Sequence, residues 1–285
     1  MFANRRAQND FKDRIAVFSP EEYKHEVAFH HTLTEFQYAL SNDRITYYLQ
    51  PQVDMETGKV IGAEALTRWI DKDGSLIPPG SFIPALEESG FVVTLDKYIW
   101  QGVASWLRKR LDQGLPVVPV SLNVSRVDIL ACDVAEHMGA LAAQYSLPSE
   151  LMRIEITETA YTGESEAVDR LTAELHNRGF STYMDDFGTG QSTLAMLKNV
   201  NVDVIKLDRT FVPAGKADER STQIVSSMLG MAQSLHLPVV VEGIETEAQA
   251  QLLRQMGARY AQGFLYYRPM PAADFEELLD SKVAD

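Results

Sequence analysis

From Arg44 to the C-terminus, short apolar runs alternate with longer stretches whose apolar residues recur three and four positions apart. The first pattern suits strands buried on both faces, the second amphipathic helices. Strands are predicted over residues 45–49, 59–66, 117–123, 151–156, 181–184, 204–207, 237–241 and 260–264. Ile99, Trp100, Val103, Trp106 and Leu107 mark one long helix between them, and Val168, Leu171 and Leu175 mark another. Further helices are predicted near residues 134–145 and 224–235, after the break at Pro78-Pro79-Gly80, and at the C-terminus. Thr246-Glu247-Ala248-Gln249 is a capping-box helix start, and Gly257 supplies the stop. Roughly eight strand-helix units in about 240 residues point to an α/β fold of the TIM-type (β/α)8 class. An open doubly wound sheet fits less well, because no strand is followed by a glycine-rich dinucleotide turn.

The first 43 residues break this alternation. Ser19-Pro20-Glu21-Glu22 combines an N-cap serine, a first-turn proline and a capping-box glutamate, and Phe29, Leu33, Phe36 and Leu40 follow at helical spacing. The pattern predicts a helix over about residues 20–41, its apolar stripe packed on the next domain or on a partner chain. His25, His30 and His31 lie on it, and a packed or solvated face explains them better than a metal. The chain thus divides into a lead-in and connector helix, 1–43, and a barrel, 44–285.

Composition narrows the chemistry. The 285 residues are 45% hydrophobic with a formal charge of -14 and a pI near 4.9. That balance argues against the broad basic face that nucleic acid polymers or anionic membranes require. A phosphate-ester substrate would need metal ions and a few local cations to supply positive field. The lone cysteine, Cys132, excludes a disulfide framework and reads as a small buried apolar residue. No apolar run reaches the roughly 18 residues of a membrane span, and no apolar core follows Met1-Phe2-Ala3-Asn4-Arg5-Arg6, so a cytoplasmic protein or cytoplasmic piece of one is expected.

Function enters at the strand ends. Glu64, Asn123, Glu155, Asp185, Lys206, Glu242 and Gln262 fall at the ends of successive apolar runs, which in a barrel rise on the one face where active sites of this architecture sit. One carboxylate at a strand end is usually a cap or an ion-pair partner. Four carboxylates, two amides and a lysine on one rim destabilise one another unless a cation compensates. The densest point is Tyr183-Met184-Asp185-Asp186-Phe187-Gly188-Thr189-Gly190, an apolar run ending in two aspartates and a glycine-bracketed turn. Plainer readings have Asp186 capping the next helix and Lys206 pairing with Asp208. An oxygen-only donor set suits two Mg²⁺ or Mn²⁺ ions rather than zinc. Asp185, next to Asp186, could bridge two ions about 3.5–4 Å apart, the separation used in phosphoester hydrolysis. Lys206 could then position a water. No histidine stands at a strand end, so a Ser-His-Asp nucleophile is not expected.

Glu64-Ala65-Leu66-Thr67-Arg68-Trp69 resembles the signature of EAL domains, phosphodiesterases that linearise cyclic di-GMP to pGpG. Gln50-Pro51, Ser121-Leu122-Asn123-Val124-Ser125, Glu155-Ile156-Thr157-Glu158, the aspartate motif, Lys206-Leu207-Asp208, Val241-Glu242-Gly243-Ile244-Glu245-Thr246 and Gln262-Gly263-Phe264 match the family in order, over about residues 30 to 280. The resemblance implies that Glu64, Asn123, Glu155 and Asp185 hold one metal ion and that Asp185 and Asp186 hold a second. It implies that Glu242 stands beside the metals, and that Lys206 and Gln262 hold the hydrolytic water. Gln50, Leu66 and Arg68 match positions contacting the dinucleotide, with Arg68 on a phosphate. Glu158 matches a glutamate anchoring the loop after Asp186, which couples dimerisation to metal binding, so a homodimer is expected. The family's first strand runs antiparallel to the others, which the turn near Gly58 makes plausible here. Gln191-Ser192-Thr193 replaces the common Tyr-Ser-Ser, and Val241 a common alanine; neither changes a metal ligand. Arg14-Ile15-Ala16-Val17-Phe18 and the helix after it resemble the end of a GGDEF domain with its connector, implying an upstream GGDEF or sensory domain. A non-catalytic cyclic di-GMP receptor is the alternative, and an enolase- or aldolase-type barrel a third reading.

Overall fold

Prolines and alternating apolar residues set most of the element boundaries. A computed structural model describes residues 19–163, 165–189, 201–213 and 219–283. Its strands are β1 (Ile45–Asp54), β2 (Val60–Ile70), β3 (Leu76–Ile77), β4 (Val120–Val124), β5 (Met152–Thr157), β6 (Ser181–Phe187), β7 (Val204–Leu207), β8 (Val239–Val241), β9 (Tyr260–Ala261) and β10 (Met270–Pro271). The helices used below are α1 (Pro20–Ser41), α2 (Ile83–Ser89) and α3 (Val92–Asp112). β4 and β8 begin three and two residues later than expected, each directly after a proline (Pro119, Pro238) that cannot donate to the ladder. β9 stops at Ala261 rather than residue 264, because Gly263 lies flush against the backbone of Ile244. The short strands β3 and β10 were not expected.

β2, β4, β5, β6, β7, β8 and β9 pair in that order, all parallel. β1 closes the ring between β2 and β9 and runs antiparallel to β9, so the barrel has eight strands, one of them reversed. β3 and β10 add antiparallel edges to β2 and β1. β1 changes partner along its length: Tyr48 and Leu49 pair with β10, and Val53 and Asp54 with β9. The change falls around Pro51, which has no N–H to offer. Period-two alternation buries Ile154, Ile156, Ile205 and Leu207 on one face of their strands and turns Glu155 and Lys206 to the other, inside the barrel.

The chain separates into two compact units, one holding α1 through Ile45 with Trp69–Phe91, the other holding Thr46–Arg68 and the chain from Val92 onward. In the smaller unit, Ser19 caps α1 through the predicted capping box. Phe36, Trp69, Phe82 and Phe91 form an aromatic cluster with ring centroids 5.1 to 6.1 Å apart. Of the expected stripe on α1, Phe36 is buried and Phe29, Leu33 and Leu40 are half-buried, while Tyr23 and Val27 toward the start of the helix are exposed. His25, His30 and His31 are exposed, and His30 meets Glu26. Cys132 is half-buried rather than buried, because it ends a short helix with its thiol donating to the carbonyl of Asp128. No described helix is long and apolar enough to cross a membrane.

Candidate metal centre

All the candidate residues belong to the larger unit. The aspartate pair sits in a fault of the sheet. Met184 pairs with Ile205, but the next pair is Phe187 with Leu207, so β6 carries one residue more than β7 across this interval. Asp186 takes the left-handed conformation there, with φ of 56°. Neighbouring side chains on a regular strand point to opposite faces; an extra, left-handed residue re-aims one of them. Oxygens of Asp185, Asp186 and Glu242 come within 4.8 Å of one another, the one such acidic group among the described residues.

Lys206 stands at the centre of the other acids. Its Nζ lies 2.7 Å from Glu155, 2.7 Å from Glu242, 3.0 Å from Asp185 and 3.1 Å from Glu64, and the side chain is 1% exposed. The plainer pairing with Asp208 is absent; Asp208 instead accepts from Thr210 N and Oγ1. Asn123 donates to Glu64 at 3.2 Å and Gln262 donates to its other oxygen at 2.6 Å. Trp100 on α3 fixes the strand beneath, its indole N–H donating to the carbonyl of Asn123. Seven polar residues spread over 199 positions, from Glu64 to Gln262, thus meet at one site; Glu64 comes from the middle of β2, which runs on to Ile70 past the expected end at residue 66.

The field of the cluster separates its acids. Burial raises the pKa of Glu64, but the charge of Lys206 and hydrogen bonds from Gln262, Asn123 and Lys206 outweigh it, leaving that carboxyl below its usual range. Glu155 is pushed well up by burial, which Lys206 opposes and the charges of Glu64 and Asp185 reinforce. Burial, then the charges of Asp185 and Glu64, raise Glu242 to about 8 against the pull of Lys206. Burial and the neighbouring charge of Asp185 raise Asp186 to about 6. Lys206 is disfavoured as a cation by burial, yet the surrounding carboxylates hold it well above its usual range.

A divalent cation fits this donor set. Every candidate ligand offers oxygen, the preference of Mg²⁺ and Mn²⁺. Glu155 Oε1 is buried with no hydrogen-bond partner, and Asp185 Oδ1 lies 3.0 Å from Lys206 Nζ outside hydrogen-bonding geometry. Both oxygens keep lone pairs free.

The residues matched to the dinucleotide lie around this centre. Gln50 accepts from Gln262 at 3.1 Å and donates to the carbonyl of Tyr267. Arg68 lies over the ring of Tyr48 at 5.3 Å and donates to Thr67 O, and Leu66 is half-buried beside it in sequence. Glu158 is fully buried against the turn after the aspartates, where it accepts from Gly188 N. Gln52, which strand-end reasoning missed, is fully buried and bonded to Gln262. Its signal was the period-two run of polar residues Gln50, Gln52 and Asp54 on β1. Gln191-Ser192-Thr193 and Arg14–Phe18 lie outside the described residues.

Residues 33–269 match the family model described as EAL domain. The chain is 33% identical over 241 residues to the signaling protein YkoW of Bacillus subtilis, covering 85% of this chain and 30% of that protein. It is 35% identical over 238 residues to the cyclic di-GMP phosphodiesterase RocR of Pseudomonas aeruginosa, covering 83% and 60%. It therefore spans less than two thirds of these relatives. The solved PaMucR phosphodiesterase in complex with c-di-GMP superposes with a TM-score of 0.81 at 31% identity, over 86% of this chain and 99% of that one. The match across most of the barrel, with the acidic rim in place, shows that the chain belongs to the EAL domain family.

Proposed function

We propose that this chain hydrolyses cyclic di-GMP to linear pGpG. The observation that carries the reading is the convergence of Asp185, Asp186 and Glu242 beside Glu64, Glu155 and Lys206 on one barrel rim. The substrate is supported by the name of RocR and by the dinucleotide bound in the PaMucR structure. Glu64, Asn123, Glu155 and Asp185 would hold one Mg²⁺ or Mn²⁺ ion, and Asp185 with Asp186 a second. Two bound ions would lower the pKa of a water and offset charge on the non-bridging phosphoryl oxygens.

The chain's own residues supply the rest. Lys206 is kept protonated by its acids and so serves as a hydrogen-bond donor and positive charge, not as a base. Gln262 orients Glu64 through its amide and, with Lys206, would hold the attacking water. Glu242, with its pKa near 8, carries a proton at neutral pH that it releases as the rim gains positive charge. Gln50, Leu66 and Arg68 would bind the dinucleotide, Arg68 through a phosphate. Attack breaks one P–O3′ bond, the water oxygen stays on phosphorus, and its proton balances the departing 3′ oxygen. On the same reading residues 1–43 lead into a phosphodiesterase barrel at 44–285. The protein would work as a cytoplasmic homodimer under an upstream GGDEF or sensory domain.

Product analysis tests this directly: the purified chain is incubated with cyclic di-GMP in Mg²⁺, Mn²⁺ or Ca²⁺, and pGpG is followed by chromatography. Formation of pGpG with Mg²⁺ or Mn²⁺ but not Ca²⁺ is expected. Tight binding without turnover in all three would replace hydrolysis with the receptor reading.

A further inference from the structure

A line of side-chain hydrogen bonds runs through the barrel interior and ends on the metal centre. Arg153 Nη1 donates to Gln52 Oε1 at 3.3 Å, Gln52 Nε2 donates to Gln262 Oε1 at 3.1 Å, and Gln262 Nε2 donates to Glu64 Oε2 at 2.6 Å and Gln50 Oε1 at 3.1 Å. Gln52, Gln262 and Glu64 are all buried. A glutamine amide can sit either way round, but a guanidinium has donors only. Arg153 therefore compels Gln52 to present its oxygen on one side, which leaves its NH₂ for Gln262. Gln262 must then accept on that side and aim its own NH₂ at Glu64. Arg153 sets the direction of Gln52, and Glu64, accepting at the far end, demands the matching direction of Gln262.

Arg153 is itself held firmly. Its Nη2 donates to the carbonyl of Ile61 at 3.2 Å, and its guanidinium covers the ring of Tyr183 at 5.3 Å. Gly62 supplies the space: a Cβ there would overlap Nη1 of Arg153 and lie 3.1 Å from Gln52 Oε1. Glycine stands at the crossing of Arg153 and Gln52, where any other residue would push them apart.

We propose that Gln52 is a positioning residue that acts on the reaction through Gln262, with Arg153 fixing its orientation. Its effect on kinetics rests on the hydrolysis reading above; its effect on the Gln262 amide does not. Gln52→Met keeps the volume and removes both polar atoms. Gln52→Glu keeps the partner of Arg153 but offers Gln262 only an acceptor, so the new carboxylate competes with Glu64 for the Gln262 NH₂ and leaves the Gln262 oxygen without its donor.

The test joins turnover, side-chain amide NMR of ¹⁵N-glutamine-labelled protein, and a double-mutant cycle with Gln262→Ala, which also identifies the Gln262 signal. Gln52→Met should lower kcat roughly tenfold, the lower end of what partners outside a metal's direct ligands cost, with KM unchanged. Gln52→Glu should lower it further while folding as well as the wild type. Both should shift the Gln262 amide signal, and neither should change kcat in the Gln262→Ala background. An unmoved Gln262 signal, losses that multiply with Gln262→Ala, or a lowered melting temperature with unchanged kcat would overturn the proposal. If the wild-type chain shows no turnover, hydrolysis falls and the amide signal alone decides on Gln52. If Gln52→Met fails to fold, Gln52→Glu decides.

Discussion

Glu158 Oε2 accepts the backbone N–H of Gly188 at 2.6 Å, so the residue that follows β5 holds the turn that follows the aspartate pair. The acceptor is buried and the bond is short, which makes it a strong one for its type. The turn is confined on its other side too. Gly188 has φ of 100°, and a Cβ there would lie 2.5 Å from the ring of Phe211. Asp186, two residues earlier, inherits its aim from this double constraint.

Glu158→Ala should therefore weaken divalent-cation binding about tenfold while costing about 1–3 kcal/mol of stability for the unpaired N–H. Glu158→Gln retains an acceptor oxygen and should recover most of both. Mn²⁺ titration by calorimetry alongside thermal melts checks this; equal metal affinity in Glu158→Ala would separate the turn from the metal centre.

The barrel and its polar rim were legible because both follow from local pattern. Apolar runs closed by Glu155, Asp185 and Lys206 mark the last few residues of strands, and topology carries them to one face, where Glu64 joins them from the middle of β2. The sheet fault at Asp185 and Asp186 was not legible: one extra residue on β6 leaves the same apolar spacing whether or not it bulges. The sequence also placed Lys206 opposite Asp208 as a plain alternative, since residues two apart on a strand share a face. The strand ends at Leu207, and Asp208 turns away to cap the short helix after it. Gln52 escaped notice because a glutamine in mid-strand, between Pro51 and Val53, carries no strand-end signal; its only mark in the sequence is the period-two run with Gln50 and Asp54. β3 and β10, two residues each, are too short to have a period.

Glu64 is the acid with the most hydrogen bonds in the cluster, taking one each from Asn123, Gln262 and Lys206. Glu64→Ala should empty a metal position and abolish turnover, and Asp185→Asn should do the same by removing charge. Full Mn²⁺ occupancy in Glu64→Ala would contradict this assignment.

Lys206 Nζ lies within 3.1 Å of four acids. Lys206→Ala should spare metal binding but slow turnover, by roughly 10²–10³-fold if it acts as a preorganised donor. In EDTA the variant should lose about 3 kcal/mol at pH 8, because breaking a buried ion cluster leaves its acids uncompensated. The loss should shrink at pH 6, below the raised value of Glu242, where that acid holds a proton. Melts with and without Mg²⁺ measure both effects; a variant as stable as wild type in EDTA at pH 8 would show that the acids do not rely on Lys206.

The raised acids also predict a cation-dependent pH profile. Glu242 moves from an ordinary 4.5 to about 8, and Asp186 from 3.8 to about 6. Between those limits the folded chain binds more protons than the unfolded chain, so stability falls as pH rises. Carboxyls held low, such as Glu64 and Asp54, act only at more acid pH, where stability is lost as pH falls through their folded values. His137, lowered by burial, acts the opposite way from the raised acids near pH 6.5, and no cation at the rim touches that contribution. In EDTA, stability should therefore drop from pH 5 to pH 8 by on the order of 2 kcal/mol, after allowing for solvent screening at the rim. Saturating Mg²⁺ replaces the protons and should flatten or reverse the drop, with metal affinity rising over the same interval. Parallel EDTA and Mg²⁺ curves would mean that the ion binds away from Glu242 and Asp186, and Glu242→Gln should remove most of the difference between the two curves.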